Sequence, residues 1–350
     1  MDPITQGALG AALPQSVARK GRMGLAILCG VAAGMAPDLD VLIRSADDPL
    51  LFLEYHRQFT HSLIFIPVGA GLVAACLWLL LGRYRDWPLR EMFFYCLLGY
   101  ATHALLDACT TYGTMLLWPF SDRRFAWNSV SIIDPLLTLP LLALVGLSRW
   151  RRWRWPAALA MVWVVAYLLL GTVMRDRAQE LGRELAVQRG HLATEVAAKP
   201  SFANILLWKT VYREDGYYYV DAVRLGPRPR SYPGRRIAAL DLRRDFPWLD
   251  PQSVQGRDVE RFRWFSNGYL AADPRFPKRI MDLRYSLLPN EIRPLWSIEL
   301  DPDTQQSAHV RYLTHREREP QTMGRFRTML AGRSLAPEIG EAGAASIAEE

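Results

Sequence analysis

His61–Gly82 reads HSLIFIPVGAGLVAACLWLLLG. After the opening His-Ser it carries no charge, and at 1.5 Å per residue it reaches about 33 Å, enough to cross a hydrocarbon core of about 30 Å. A helix that is apolar on every side does not belong on the surface of a water-soluble domain. This stretch therefore decides the fold class: the chain is an integral membrane protein.

Working outward, Pro156–Met174 is an equally clear span. Val130–Ser148 is a third, interrupted only by Asp134, and Met92–Ala108 a fourth, with His103 and Asp107 at its end. Gly24–Ile43 is broken by Pro37, Asp38 and Asp40 and reads as a short or interrupted span. The sequence thus predicts a membrane α-helical bundle of about five spans over residues 1–174. The N-terminal stretch lacks the order of a signal peptide, because its positive charges follow a weakly apolar run, so no cleavage is expected.

The chain has 350 residues and a net charge of +7. The basic residues gather in short clusters beside the apolar runs: Arg19, Lys20 and Arg22; Arg83, Arg85 and Arg90; and RWRRWR, Arg149 to Arg154. That placement suits membrane topology and argues against a nucleic-acid face. With five spans the three clusters share one side, which the positive-inside rule makes cytoplasmic. A multi-pass protein of the bacterial inner membrane follows, with its N-terminus cytoplasmic and everything after Met174 periplasmic. The four cysteines, Cys29, Cys76, Cys96 and Cys109, lie in or beside apolar segments without a CxxC pair, so a disulfide framework or thiolate zinc site is not expected.

The second half differs in composition. Residues 175–199 have apolar residues at helical spacing and are expected to form a connecting amphipathic helix. Residues 200–332 suggest a soluble α+β domain with a small antiparallel sheet. NILLWKTVYRED and GYYYVDAVRL flank Asp215-Gly216 as a hairpin. ERFRWFSNGYLAA, RIMDLRYSLL, LWSIELD and AHVRYLTH read as further strands. Residues 333–350 have the composition of a disordered tail. His191, His309 and His315 are isolated and read as surface histidines.

The chemistry concentrates in the membrane half. MAPDLD supplies Asp38 and Asp40 at a span end, HRQFTHS supplies His56 and His61, HALLD supplies His103 and Asp107, and IIDP supplies Asp134. His103 and Asp107, at i and i+4, share one helix face. Each motif has a plainer alternative: Pro37 ends a helix, and a His–Asp pair hydrogen-bonds internally. What lifts the set is that all seven residues fall at one membrane face, where ionisable groups are costly unless paired or functional. Mixed imidazole and carboxylate donors suit zinc, with manganese or iron as alternatives, and the number of donors allows one or two ions. Two ions would activate a water and clamp a phosphate ester.

Taken in order, MDPxT, PDLD, HRxxTHS, HxxLDxxTxYG, WPFSxxRFxW and IIDP resemble the YdjM-like, LexA-regulated, membrane-bound metal-dependent hydrolases. LLWKTVYREDGYYY, WFSNGYL and MDLRYSLLP also resemble the C-terminal part of longer members. The resemblance implies a hydrolase distantly similar to zinc-dependent phospholipase C, with Asp38, Asp40, His56, His61, His103 and Asp107 as ligands. One position departs from the pattern: Thr5-Gln6 stands where the family usually has Thr-His. The combined expectation is hydrolysis of a phosphoester in a membrane lipid or lipid-linked substrate. Asp134 or Asp40 would serve as general base, and Arg123 and Arg124 would bind phosphate or else anchor the interface beside Trp118 and Trp127. The alternatives are a degenerate metal-binding scaffold and a metal sensor or transporter.

Overall fold

The computed structural model describes residues 1–193, 195–315 and 320–335. The first half is a bundle of helices: α1 (Pro3–Val17), α2 (Met23–Met35), the short α3 (Leu51–Tyr55), α4 (Ile66–Leu80), α5 (Leu89–Ala108), α6 (Pro135–Arg151) and α7 (Trp155–Gln188). Among the described residues three helical stretches are long and apolar enough to cross a bilayer: Lys20–Leu42, Leu63–Leu80 and Trp155–Gln188. Two of the five expected spans fall short of that standard. α5 carries Arg90, Glu91, His103 and Asp107 within its 20 residues, and α6 has 17. Leu72, Leu139, Val162 and Leu169 remain exposed on the outside of the bundle, as lipid-facing residues do.

The sequence reading missed α1, because Gly and Ala dilute its hydropathy. It packs against α2, α5, α6 and α7. Small residues allow that central position. A Cβ on Gly10 would come within 2.4 Å of the Gly30 carbonyl, and one on Gly99 within 2.7 Å of it. Close backbone approach through small residues is how helices associate where burial from water gives no drive. α1 also separates the N-terminus from the first basic cluster. Arg19–Arg22 stay with the other basic clusters at one end of the bundle. Met1 lies at the opposite end, where the Asp2 N–H donates to the Ile132 carbonyl at 3.0 Å and the Met1 amine meets Asp107.

α7 runs unbroken out of the bundle to Gln188 and packs on the second half. The helix expected up to residue 199 therefore stops earlier, and Val196–Pro200 forms β1. β1, β2 (Leu207–Glu214), β3 (Tyr217–Arg224) and β4 (Arg230–Ala238) make one antiparallel sheet in sequential order. Asp215 and Gly216 turn β2 into β3 with φ of 47° and 79°, the left-handed pair that a two-residue hairpin needs. After α8 (Leu242–Asp245) and α9 (Val254–Phe265), a second sheet of four strands follows: β5 (Leu270–Ala272), β6 (Arg279–Asp282), β7 (Trp296–Glu299) and β8 (Arg311–Thr314). α10 (Pro320–Leu330) closes the described chain. One small sheet was expected and two are found. ERFRWF, read as a strand, is helical because Ser253 caps its N-terminus and Val259, Phe262 and Phe265 bury one helical face. The expected tail, residues 333–350, lies outside the described residues from 336 onward.

The two halves share their cores. Val164 and Tyr167 of α7 belong to the same buried cluster as Trp208 and Val223 of the first sheet. Leu53 of α3 and Leu50 just before it are buried with Phe262, Phe265 and Ile298.

Candidate metal centre

Four side chains from three segments meet at one end of the bundle. Asp38 follows α2 on a 3-10 turn started by Pro37; His61 precedes α4; His103 and Asp107 lie on the last turns of α5. Asp38, His61, His103 and Asp107 each bring one donor atom within 4.8 Å of the others, and the last three are fully buried. His61 Nε2 and His103 Nε2 are 2.9 Å apart. Asp107 Oδ2 is 3.2 Å from the first and 3.6 Å from the second. Asp38 Oδ1 is 3.6 Å and 3.4 Å from the same two nitrogens. Four donors placed tetrahedrally about 2.0–2.2 Å from a zinc ion lie about 3.3–3.6 Å from one another. Three of the five spacings given above fall in that range, and the two shorter ones, between His61 and His103 and between His61 and Asp107, lie just below it.

The hydrogen bonds behind the site say what the nitrogens present. His103 Nδ1 lies 2.6 Å from the Gly34 carbonyl, which can only accept, so Nδ1 carries the proton. His61 Nδ1 lies 2.9 Å from Thr60 Oγ1, whose own proton goes to Asp40 Oδ2 at 2.7 Å. Nδ1 therefore donates there too. The two Nε2 atoms face each other across 2.9 Å, a separation that a shared proton or a cation accounts for. Gln6 Oε1 is buried without a hydrogen-bond partner, a free oxygen on a residue that already touches Asp107.

Asp40 stands behind this group. It accepts from the Arg57 N–H at 2.9 Å and from Thr60, and it holds His56 Nδ1 at 2.7 Å and His61 Nδ1 at 3.2 Å. The left-handed backbone of Arg57, φ 66°, turns the loop so that its N–H and the His56 ring reach one carboxylate. A carboxylate behind a ligating histidine fixes its tautomer and ring plane. Asp38, Asp40 and His56 form a second, more open group that could hold an ion. Burial pushes the His56 imidazole below its usual range despite the Asp40 contact, which favours the neutral, ligating form.

The structure thus brings together six of the residues named from sequence: Asp38, Asp40, His56, His61, His103 and Asp107. Asp134 lies elsewhere, as the N-cap of α6. Its Oδ1 accepts the N–H groups of Leu136 and Leu137 at 3.1 Å and 3.4 Å, and its Oδ2 accepts from the Tyr167 hydroxyl at 2.9 Å. Arg123 is exposed over Phe125. Arg124 is buried, donates to the carbonyls of Gly113 and Leu53, and lies over the rings of Tyr112, Trp264 and Phe265; burial pushes its guanidinium down to about 10. His191, His309 and His315 bond locally to Tyr212, Asp258 and Ser297. Arg57 was overlooked in the sequence. It is buried, with Nε 2.8 Å from Asp107 Oδ2 and Nη1 2.9 Å from Thr110 Oγ1. Its signal was its place inside HRQFTHS, between the two histidines. Gln6, at the position of the family histidine, faces the site: its amide donates to Asp107 Oδ1 at 2.8 Å.

Helical bundle and site together define a membrane protein with a buried His/Asp centre at one end. A family profile described as "YdjM inner membrane protein" matches residues 1–178, half of the chain, and the protein belongs to that family. The similar proteins include "Uncharacterized protein YfhP" of Bacillus subtilis (strain 168), 26% identical over 36% of this chain and 37% of that protein. The match therefore spans little more than a third of YfhP. "Inner membrane protein YbcI" of Escherichia coli (strain K12) is 28% identical over 36% of this chain and 84% of its own. No solved structure matches.

Proposed function

We propose that the protein is a metal-dependent hydrolase of the bacterial inner membrane, cleaving a phosphoester in a lipid or lipid-linked substrate. The observation that carries this reading is the convergence of one donor atom each from Asp38, His61, His103 and Asp107 within 4.8 Å of one another, three of the four residues fully buried. These four residues would hold the first divalent ion, zinc by the chemistry of the donor set. Asp38, Asp40 and His56 would hold a second. Such an ion supplies Lewis acidity and lowers the pKa of a coordinated water.

The chain's own groups do the rest. Asp40 fixes the rings of His56 and His61. It is also better placed than Asp134 to take a proton, because it stands against two histidines of the centre, whereas Asp134 caps α6 away from them. Arg57, against Asp107, supplies a fixed cation beside the centre for a phosphoryl oxygen. Arg124 adds positive charge from within the wall. The orientation we propose keeps the three basic loops cytoplasmic and sets the centre and the second half on the periplasmic side. The site then lies at headgroup depth, where a lipid phosphate is within reach.

Two measurements test this reading on the purified full chain. Metal analysis should find bound divalent metal that His103→Ala and Asp107→Ala each remove. Incubation with phospholipids and isoprenoid phosphates should release a water-soluble phosphorylated product, and a chelator should stop that release. Metal bound without product from any lipid would favour a scaffold or sensor, and metal unaffected by either substitution would end the ligand assignment.

A further inference from the structure

A cavity of about 340 Å³ lies where the helical bundle meets the second half, within the size range of ligand pockets. Ile132 and Ile133, just before α6, form one wall, and Phe202, Leu295, Met323 and Phe326 form the others. Ile133, Leu136 and Leu139 are 44%, 58% and 64% exposed, so the lipid-facing strip of α6 runs directly into that wall.

The inner side of the cavity is different. Tyr285 lines it, and the Tyr285 hydroxyl is buried with no hydrogen-bond partner. Nη1 of the neighbouring Arg284 is in the same state, although Arg284 is 2% exposed. Arg284 lies over Phe265 at 4.7 Å, Phe265 meets Tyr112 at 5.2 Å, and Arg124 and Arg57 lie over Tyr112 at 5.4 Å and 4.8 Å. Three buried guanidiniums therefore lead from Tyr285 to Asp107, with Asp282 and Asp107 as their carboxylate partners. On the other side of the cavity, Ile132 is hydrogen-bonded to Asp2, whose neighbour Met1 touches Asp107. A largely apolar chamber beside exposed apolar residues of α6, with Tyr285 in its wall leading on to buried cations, fits an amphipathic anion.

We propose that this cavity holds a hydrocarbon chain of the lipid substrate, with its anionic head group turned toward Tyr285 and the arginine-lined His/Asp centre. The assignment rests on the lipid-hydrolase reading above but is tested without turnover. The full chain in phosphatidylglycerol nanodiscs is doped with phosphatidic acid carrying a diazirine near one acyl terminus, irradiated, and the labelled peptides mapped. Label is expected on α10 and around Leu295 as well as on the outward faces of α4, α6 and α7. Ile133→Trp and Met323→Trp, each filling the chamber, should lower the α10 label about tenfold, and leave the α4 label unchanged. Label confined to the outward faces of the bundle, or α10 label indifferent to both substitutions, overturns the assignment. Phospholipid turnover without α10 label would overturn it while sparing the hydrolase reading. Chamber-dependent label with no turnover of any lipid would uphold it as a lipid site and count against the hydrolase.

Discussion

Asp38 and Asp40 are two residues apart, yet the structure gives them different work. Asp38 faces the shared point of His61 and His103, whereas Asp40 sits one layer out and takes hydrogen bonds from Thr60 and Arg57. Asp38→Asn should therefore remove a ligand and with it most metal binding. Asp40→Asn should leave the first ion bound but with its affinity weakened by about 10–100-fold, the usual cost of losing an orienting partner, and should cost the second ion a ligand. Competition against a chromophoric chelator reads both, and equal effects on the first ion would show that Asp40 ligates that ion directly. At this scale the sequence was legible wherever spacing encodes geometry: His103 and Asp107, four apart on a helix, could be paired on sight. The Asp40–His56–Thr60 arrangement could not, because it depends on the left-handed turn at Arg57. Gln6 was visible as a departure from the family pattern, but its contact with Asp107 depends on α1 being a helix that nothing in its hydropathy announced.

At the scale of elements, the glycines of α1, α2 and α5 set how closely those helices approach, and the approach holds the site-bearing ends in register. A Cβ on Gly30 would meet the Gly10 carbonyl at 2.3 Å and the Ala11 Cα at 2.9 Å. Gly30→Ala should destabilise the bundle by about 1–3 kcal/mol, as overpacking does. Gly24→Ala is the matched control, since nothing lies within 4 Å of its added methyl and helix propensity favours alanine. Thermal unfolding in detergent compares them, and equal midpoints would show that the helices part without cost. The long uniform spans could be read from sequence because lipid demands uniform apolarity. α1 and α5 could not be counted safely, since neighbouring helices shield them and relax that demand. The Asp215-Gly216 hairpin was legible because two left-handed residues in succession leave little choice. α9 was misread because its aromatic residues favour strands in isolation, and the Ser253 cap and tertiary burial outweighed that preference.

For the molecule as a whole, the second half carries its own electrostatic load. Lys199 and Lys209 are fully buried, and burial pushes each ammonium down to about 7 from the ordinary 10.5. The unfolded chain then holds more protons than the folded one between those values. Stability from these two groups should rise as pH goes from about 7 to 10.5, with the penalty complete below 7. Lys199→Met should raise stability at pH 7 and flatten the slope between pH 7 and 9. Denaturant unfolding followed by tryptophan fluorescence measures it, and an unchanged slope would mean that Lys199 keeps its proton when buried. Lys209 is the poorer choice for this test, because its ammonium donates to Ser286 and to the Glu291 carbonyl, each at 2.9 Å.

α7, with 34 residues, is about 51 Å long, roughly 20 Å more than the hydrocarbon core requires. Because it continues unbroken from lipid into the second half, it fixes the azimuth of that half as well as its height. One residue inserted near Arg177 would swing everything beyond it by about 100° and move Arg261 away from Asp48 and Glu54, its ion-pair partners before α4. Seven inserted residues would nearly restore the bearing, to within about 20°, but lift the second half by about 10 Å. The lipid chamber, with Ile132 and Ile133 on the bundle side and Phe202, Leu295 and α10 on the other, would come apart either way. α7 is thus a rigid spindle, and the chamber is assembled only at its native setting.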